Sequence, residues 1–317
     1  MQVNITPTKL VCRVKAPAHK SWIIRYMIIA KMKGESCTIR NINLCDDVLA
    51  CIDALDNLGG PMNCGESATV LRLLIPSVIK KYGYGDFICE GNLINRPLDI
   101  YGDIFDIEKN GNILHVEGNL KESYSFDSNI SSQFVSGLLI AGCEVYGKCV
   151  SSPYVEMTRK VLSSSVPFDV TVPEDETLKA YWNIDKIKFE NADNNPDMVP
   201  LYALKASVSD GTTIIDNLSR LKYKESDRTK NICEILCKLG ADIILEDDKY
   251  LINGKKSLSG GVTIDPMGDH RLAMMASVAS QFCKDKITVL NAECVSKSYP
   301  NFYDHFEKCG GIIDVIP

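Results

Sequence analysis

Apolar residues along the chain gather in short runs between polar turns, and the runs recur in one order. That order is a polar or charged turn, a helix apolar nearly all round, a strand, and in most copies an amphipathic helix ended by glycine. The first copy opens at His19-Lys20-Ser21, with a helix expected over 22–32, a strand over 37–42 and a helix from Asp46 to Leu58 that stops at Gly59-Gly60. A second begins at Glu66-Ser67-Ala68-Thr69 and predicts helix 70–81, strand 86–90, a helix near 99–108 and strand 113–117. A third begins at Ser131-Ser132-Gln133, with helix 134–140, strand 144–150 and a helix over 154–163. The fourth starts at Asn195-Pro196-Asp197 and predicts helix 199–209, strand 212–215, helix 231–239 and strand 242–245. The fifth starts at Asp269-His270-Arg271, with helix 272–281, strand 287–291 and a helix over 302–309 before Gly310-Gly311. Short strands are expected at 1–5 and 10–14, whereas 172–195 is charged, alternates weakly only over 181–189, and reads as a connection.

Five weak copies of one strand and helix unit imply a repeat architecture in an α/β (α+β) chain, neighbouring units covering one another's apolar faces. A helix apolar all round belongs in the interior. If those helices lie side by side, their polar starts gather at one end, where several helix N-termini can face one anion.

Composition narrows the partners. The chain has 317 residues, 45% of them apolar, enough for two domains and a sizeable core. A formal net charge of −6 lacks the basic surplus that nucleic acid demands. Thirteen cysteines are scattered without a CxxC pair; Cys233 and Cys237, four apart on a predicted helix, read as small core residues, and reduced thiols, no metal and a cytoplasmic location are expected. No run of about 18 apolar residues is present and residues 1–9 lack a signal-peptide core, so no membrane association is expected.

The densest chemistry lies in Lys222-Tyr223-Lys224-Glu225-Ser226-Asp227-Arg228, three cations and two carboxylates just before a helix. Alone, that stretch also reads as a solvated, charged helix start. Lys20, Arg25, Arg72, Arg96, Lys224, Arg228, Arg271 and Lys297, however, each stand at or just after the polar start of a unit. Forked arginine donors and lysine point charges together suit a small, multiply anionic, phosphorylated substrate. Asp197 serves equally as a first-turn acid or as a general base, with Glu225 as partner acid or base. Ser131, Ser132, Gln133 and Ser151 offer neutral donors and acceptors, one of the serines equally an N-cap, and Tyr154 adds an aromatic face with a polar tip. A P-loop, a GxSxG elbow and a dinucleotide fingerprint are all missing, which removes the usual support for nucleotide hydrolysis, serine hydrolysis and hydride transfer.

Seven stretches carry a resemblance. HKSxxxR at 19–25, ISSQFVSGLL at 130–139, SSPYVEMT at 151–158, NPDMVP at 195–200, KESDR at 224–228, DHRLAM at 269–274 and KSYPNF at 297–302 resemble, in order, the motifs of the 3-phosphoshikimate 1-carboxyvinyltransferase (EPSP synthase) family. The wording of KESDR and KSYP is similar to its archaeal branch. The resemblance implies a two-domain inside-out α/β barrel of repeated βαβαββ units that closes over its substrates in the interdomain cleft. Its domains would be 1–15 with 190–317, and 16–172, joined by 173–189. It implies transfer of the enolpyruvyl group of phosphoenolpyruvate to the 5-hydroxyl of shikimate 3-phosphate, on the path to chorismate and aromatic amino acids, with no cofactor and only these small-molecule partners.

Carried over motif by motif, Lys20, Ser21, Arg25, Ser131, Ser132, Gln133, Ser151, Tyr154, Asp197 and Lys224 would hold shikimate 3-phosphate. Lys20, Arg72, Arg96, Gln133, Lys224, Arg228, Arg271 and Lys297 would hold phosphoenolpyruvate. Asp197 would take the hydroxyl proton, and Glu225 with Lys224 would move protons at the methylene carbon.

Three departures accompany the resemblance. His19 replaces a usual serine, and Ala68 replaces a glycine that lines the phosphoenolpyruvate pocket, which is expected to crowd glyphosate. Five units stand in place of the family's six, the absent one after Val172, and a hairpin after Gly60 is trimmed. A monomer is expected, or an oligomer if the lost unit exposes apolar surface. The rival readings are a non-catalytic paralogue and UDP-N-acetylglucosamine 1-carboxyvinyltransferase.

Overall fold

The first strand, β1 (Gln2–Thr6), buries Val3 and Ile5 on one face and leaves Gln2, Asn4 and Thr6 partly exposed on the other. In the computed structural model, which describes residues 1–11, 14–189 and 191–316, this strand belongs with the far end of the chain. The backbone separates into one unit of Met1–Pro17 with Glu174–Pro317 and another of Ala18–Pro173. Each has its own hydrophobic core. The strand expected at 10–14 falls partly on residues 12 and 13, outside the described residues, and residues 10, 11 and 14 form no strand.

The continuous unit holds the first three repeats. The first comprises α1 (Lys20–Lys33), β2 (Cys37–Ile39) and α2 (Asp46–Asp56). The second comprises β3 (Met62–Asn63), α3 (Ala68–Tyr82), β4 (Tyr84–Ile88), α4 (Asp99–Gly102), β5 (Asp106–Asn110) and β6 (Ile113–Glu117). The third comprises β7 (Ser123–Ser125), α5 (Ser132–Ile140), β8 (Glu144–Tyr146), α6 (Ser152–Ser163) and β9 (Phe168–Val170). Four strands form a sheet of order β3-β4-β6-β5, in which β3 runs parallel to β4, and β2-β9 and β7-β8 are parallel pairs. The helix expected near 99–108 is one turn only. After Gly102 the chain turns into β5, whose Ile107 faces Val116 across the hairpin, and that cross-strand pairing prevails over helical spacing.

Helix α3 lies deepest, with every residue from Ala68 to Ile79 buried except Thr69, as its all-round apolar character requires. Pro76 interrupts it. Proline has no N–H, so the Arg72 carbonyl four residues back loses its helical donor. The buried Tyr101 hydroxyl donates to that carbonyl at 2.7 Å. Helix α5 passes close by at Gly137, where a Cβ would lie 2.3 Å from the Tyr101 oxygen and 2.4 Å from the Arg72 carbonyl oxygen.

The discontinuous unit continues with α7 (Glu176–Lys179), 3-10 turns at Ala180–Trp182 and Ile184–Lys186, α8 (Val199–Ser207), β10 (Thr212–Ile215) and α9 (Arg228–Lys238). It ends with β11 (Asp242–Glu246), β12 (Lys249–Asn253), β13 (Thr263–Ile264), α10 (His270–Ala279), β14 (Ile287–Val289), α11 (Phe302–Lys308) and β15 (Ile312–Ile316). Its sheets have the orders β13-β14-β1-β15 and β10-β12-β11. All ten residues of α10 are buried.

The stretch 173–189, expected as a connection with one strand, is helical in character and nearly all of it belongs to this unit. Leu178, Tyr181, Ile184 and Ile187 are buried in the unit's core, and their spacing of three matches a 3-10 turn rather than a strand. Trp182 stacks on Phe302 at 5.1 Å and donates its indole N–H to the Tyr299 hydroxyl at 3.0 Å. Eleven described cysteines are free, but Cys309 is disulfide-bonded, which corrects the expectation of reduced thiols throughout; Cys233 is half-buried and Cys237 exposed rather than in the core, because α9 turns Ile232, Ile235 and Leu236 inward. Among the described residues no helix is long and apolar enough to cross a membrane.

Candidate active site

In the continuous unit the starts of α1, α3, α5 and α6 carry the expected residues. His19 caps α1, its ring nitrogen accepting the Ser21 N–H at 3.3 Å, and its ring meets that of Tyr154 edge-on at 6.1 Å. Lys20 reaches Asp47 in the first turn of α2 at 2.6 Å. Arg25, buried inside α1, donates to Thr158 at 2.7 Å, the Ser21 carbonyl at 2.9 Å, the Tyr154 carbonyl at 3.3 Å and Ser136 at 3.5 Å. Burial pulls its pKa down to about 10, with Tyr154 acting in the opposite sense, so it stays charged at neutral pH.

Arg72 donates to the Gln133 side-chain oxygen at 2.9 Å and to the Pro97 carbonyl at 2.6 Å, its guanidinium 4.8 Å from the Phe134 ring centre. Gln133 in turn donates to Thr69 at 2.9 Å. Arg96 closes the 3-10 turn Leu93–Asn95, next to Pro97. Ser131 caps α5 by accepting the Gln133 N–H at 3.3 Å, beside the buried Ser132. Ser151 is buried in left-handed backbone, φ 52°, immediately before α6.

The other unit gathers its charges around Arg228. This buried guanidinium donates to Asp269 at 2.7 and 3.1 Å, to Asp197 at 2.7 Å and to Glu225 at 2.7 Å. Lys224 lies 3.3 Å from Asp197 on the same carboxylate oxygen, and Arg271 lies 3.9 Å from the other. Burial by itself raises the Asp197 pKa, but Lys224, Arg271 and Arg228 outweigh it and hold the carboxyl well below the usual carboxylate range. Burial pushes Lys224 down to about 8 against the pull of Asp197.

Arg271 keeps Nε and Nη1 buried with no hydrogen-bond acceptor among the described residues, the condition an incoming anion relieves. The Tyr181 hydroxyl donates to the Arg271 backbone carbonyl at 3.1 Å. Lys297 is buried at the end of the 3-10 helix Ala292–Lys297.

Lys20, Arg25, Arg72, Gln133 and Tyr154 are thus tied into contacts within one unit, and Asp197, Lys224, Glu225, Arg228 and Arg271 into one charge cluster in the other. Two acids escaped sequence reasoning. Asp47 and Asp269 read as ordinary helix-start residues, and Asp269 does cap α10 by accepting the Arg271 N–H at 3.0 Å. Its second duty, the ion pair with Arg228, spans 41 positions and leaves no local signal. Among the described residues no group of three or more His, Cys, Asp or Glu could hold a metal ion.

Residues 165–306 match the family model described as EPSP synthase (3-phosphoshikimate 1-carboxyvinyltransferase). The chain is 30% identical to the 3-phosphoshikimate 1-carboxyvinyltransferase of Clostridium beijerinckii, over 98% of both chains, and 31% identical to that of Clostridium kluyveri, again over 98% of both. These alignments run over 426 and 418 positions against 317 residues here, so the relatives carry internal segments that this chain lacks. An EPSP synthase structure from Acinetobacter baumannii superposes with a TM-score of 0.76 at 18% identity over the whole of both chains, which makes the fold the same. With a relative above 30% identity matched almost end to end, the chain belongs to the 3-phosphoshikimate 1-carboxyvinyltransferase (EPSP synthase) family.

Proposed function

We propose that the chain transfers the enolpyruvyl group of phosphoenolpyruvate to the 5-hydroxyl of shikimate 3-phosphate and releases phosphate. The observation that carries this reading is the charge cluster at Asp197, a carboxylate held ionised by three cations, one of which keeps two buried donors open. Shikimate 3-phosphate is assigned to Lys20, Ser21, Arg25, Ser131, Ser132, Gln133, Ser151, Tyr154, Asp197 and Lys224. Phosphoenolpyruvate is assigned to Lys20, Arg72, Arg96, Gln133, Lys224, Arg228, Arg271 and Lys297. The two units are the two domains of the enzyme, which acts as a cytoplasmic monomer.

In the addition step Asp197 takes the 5-hydroxyl proton as that oxygen bonds to the second carbon of phosphoenolpyruvate, while Glu225 with Lys224 delivers a proton to the methylene carbon. In the elimination the same pair removes a proton from the resulting methyl group, the double bond reforms and phosphate leaves. A carboxylate held far below its ordinary pKa is a weak base. Anionic substrates on Lys224 and Arg271 offset the field that lowers Asp197 and raise its basicity when the reaction requires it.

Phosphate release from phosphoenolpyruvate, measured with and without shikimate 3-phosphate, tests the proposal. Release is expected only with both present. Binding of both without release would identify a non-catalytic paralogue, and release with UDP-N-acetylglucosamine instead would reassign the acceptor.

A further inference from the structure

Three repeats fill Ala18–Pro173, whereas among the described residues the other unit has two helix pairs, α8 with α9 and α10 with α11, supplemented by α7 and its two 3-10 turns. That short segment leaves a cavity of about 440 Å³ beside α8, whose lining includes Lys179, Lys186, Lys188, Asn195, Met198 and Tyr202. None of these residues has a role in the clusters described above. Among the described lining residues one is a carboxylate, Glu176, which pairs with Lys179 at 3.1 Å, so Lys186 and Lys188 leave that lining net positive. The Asn195 side-chain oxygen is buried and has no hydrogen-bond partner among the described residues.

We infer that this cavity is a second small-molecule site, for a small anion that also carries a hydroxyl group. Lysine ammonium groups have donors and no acceptor, so they call for anionic oxygens. The Asn195 oxygen is an acceptor and calls for a donor, which a bare carboxylate or phosphate dianion lacks. Met198 and the Tyr202 ring supply an apolar wall for a short carbon backbone, and the volume falls within the range of small-ligand pockets. Asn195 stands two positions before Asp197, so the site adjoins the start of the helix that follows the proposed base.

Calorimetric titration of the full chain with glycerol 3-phosphate and with n-propyl phosphate tests the inference, because the second probe keeps the anion and drops the hydroxyls. Saturable binding of glycerol 3-phosphate is expected, with propyl phosphate weaker by about tenfold or more. Lys186→Gln with Lys188→Gln, both on exposed positions, is expected to weaken glycerol 3-phosphate by about tenfold and leave enolpyruvyl transfer unchanged. Absence of saturable binding, equal affinity for the two probes, or affinity unaltered in the double variant would each overturn it. The inference rests on the cavity and not on the catalytic reading, so either can fail without the other.

Discussion

Arg72 owes its placement to a neighbour that offers no donor. Pro76 releases the Arg72 carbonyl, Tyr101 satisfies it, and Gly137 leaves room for both. Tyr101→Phe keeps the ring and strands the buried carbonyl, so a loss of about 1–3 kcal/mol is expected in urea unfolding. Gly137→Ala forces α3 and α5 apart and is expected to cost at least as much, about 1–3 kcal/mol or more, because both obstructing atoms are held rigidly. Wild-type stability in both variants would show that the helices yield there freely. Lys224 presents a different residue-scale consequence, since its folded pKa of about 8 lies below the ordinary lysine value of 10.5. Between those values the unfolded chain binds more protons, so the Lys224 contribution makes stability rise with pH across that window. Activity moves the other way. The ammonium proposed to bind anion and deliver a proton is lost above pH about 8, so kcat/KM for phosphoenolpyruvate should decline there. In Lys224→Arg that limb should leave the accessible range, and a pH profile with the limb in place would assign it to another group.

At the scale of elements, α3 and α10 were legible because nothing but an interior position suits a helix apolar on every side: α10 is buried throughout, and α3 from Ala68 to Ile79 except at Thr69. The cations at the helix starts were legible as a set because they stand at equivalent places in the repeats, where forked and point donors together suit an anion. Their acidic counterparts were not. Lys20 with Asp47 and Arg228 with Asp269 pair across 27 and 41 positions, and distance along the chain hides such partners. The segment after Pro173 misled in another way: its charge concealed apolar residues at 178, 181, 184 and 187, a spacing of three that strand templates do not detect. This segment contributes buried residues to a unit with two helix pairs among the described residues. Trp182→Ala removes the ring stacked on Phe302 and is expected to cost about 3 kcal/mol, near the low end for buried aromatic truncation because Trp182 is only partly buried. Tyr181→Phe removes the hydroxyl that donates to the Arg271 carbonyl and faces the Arg271 guanidinium, and is expected to cost about 1 kcal/mol. Its sharper signature is a raised KM for phosphoenolpyruvate at nearly constant kcat, an effect that mere loosening of the core would not single out.

The molecule as a whole is divided unequally with respect to chain connectivity. Ala18–Pro173 is continuous, with its core, its sheet and the Arg25 and Arg72 contacts all made within it. The other unit depends on β1, which lies in the interior of its four-stranded sheet, pairing with β14 on one side and β15 on the other. Removing residues 2–6 therefore deletes two ladders at once and the burial of Val3 and Ile5, far more than an edge strand would lose. The chain has two tryptophans, Trp22 in α1 of the continuous unit and Trp182 in the other, so each unit carries its own fluorophore. In a chain lacking residues 2–6, Trp182 emission, read in a Trp22→Phe background, is expected to shift to the red as its stacking on Phe302 is lost. Trp22 emission, read in a Trp182→Phe background, should keep its wild-type position and melt cooperatively, because its contact with Tyr26 lies wholly in the unit that β1 does not enter. Loss of both signals together would mean that the units fold as one cooperative body, and loss of neither would mean that β14 and β15 hold their places without the strand between them.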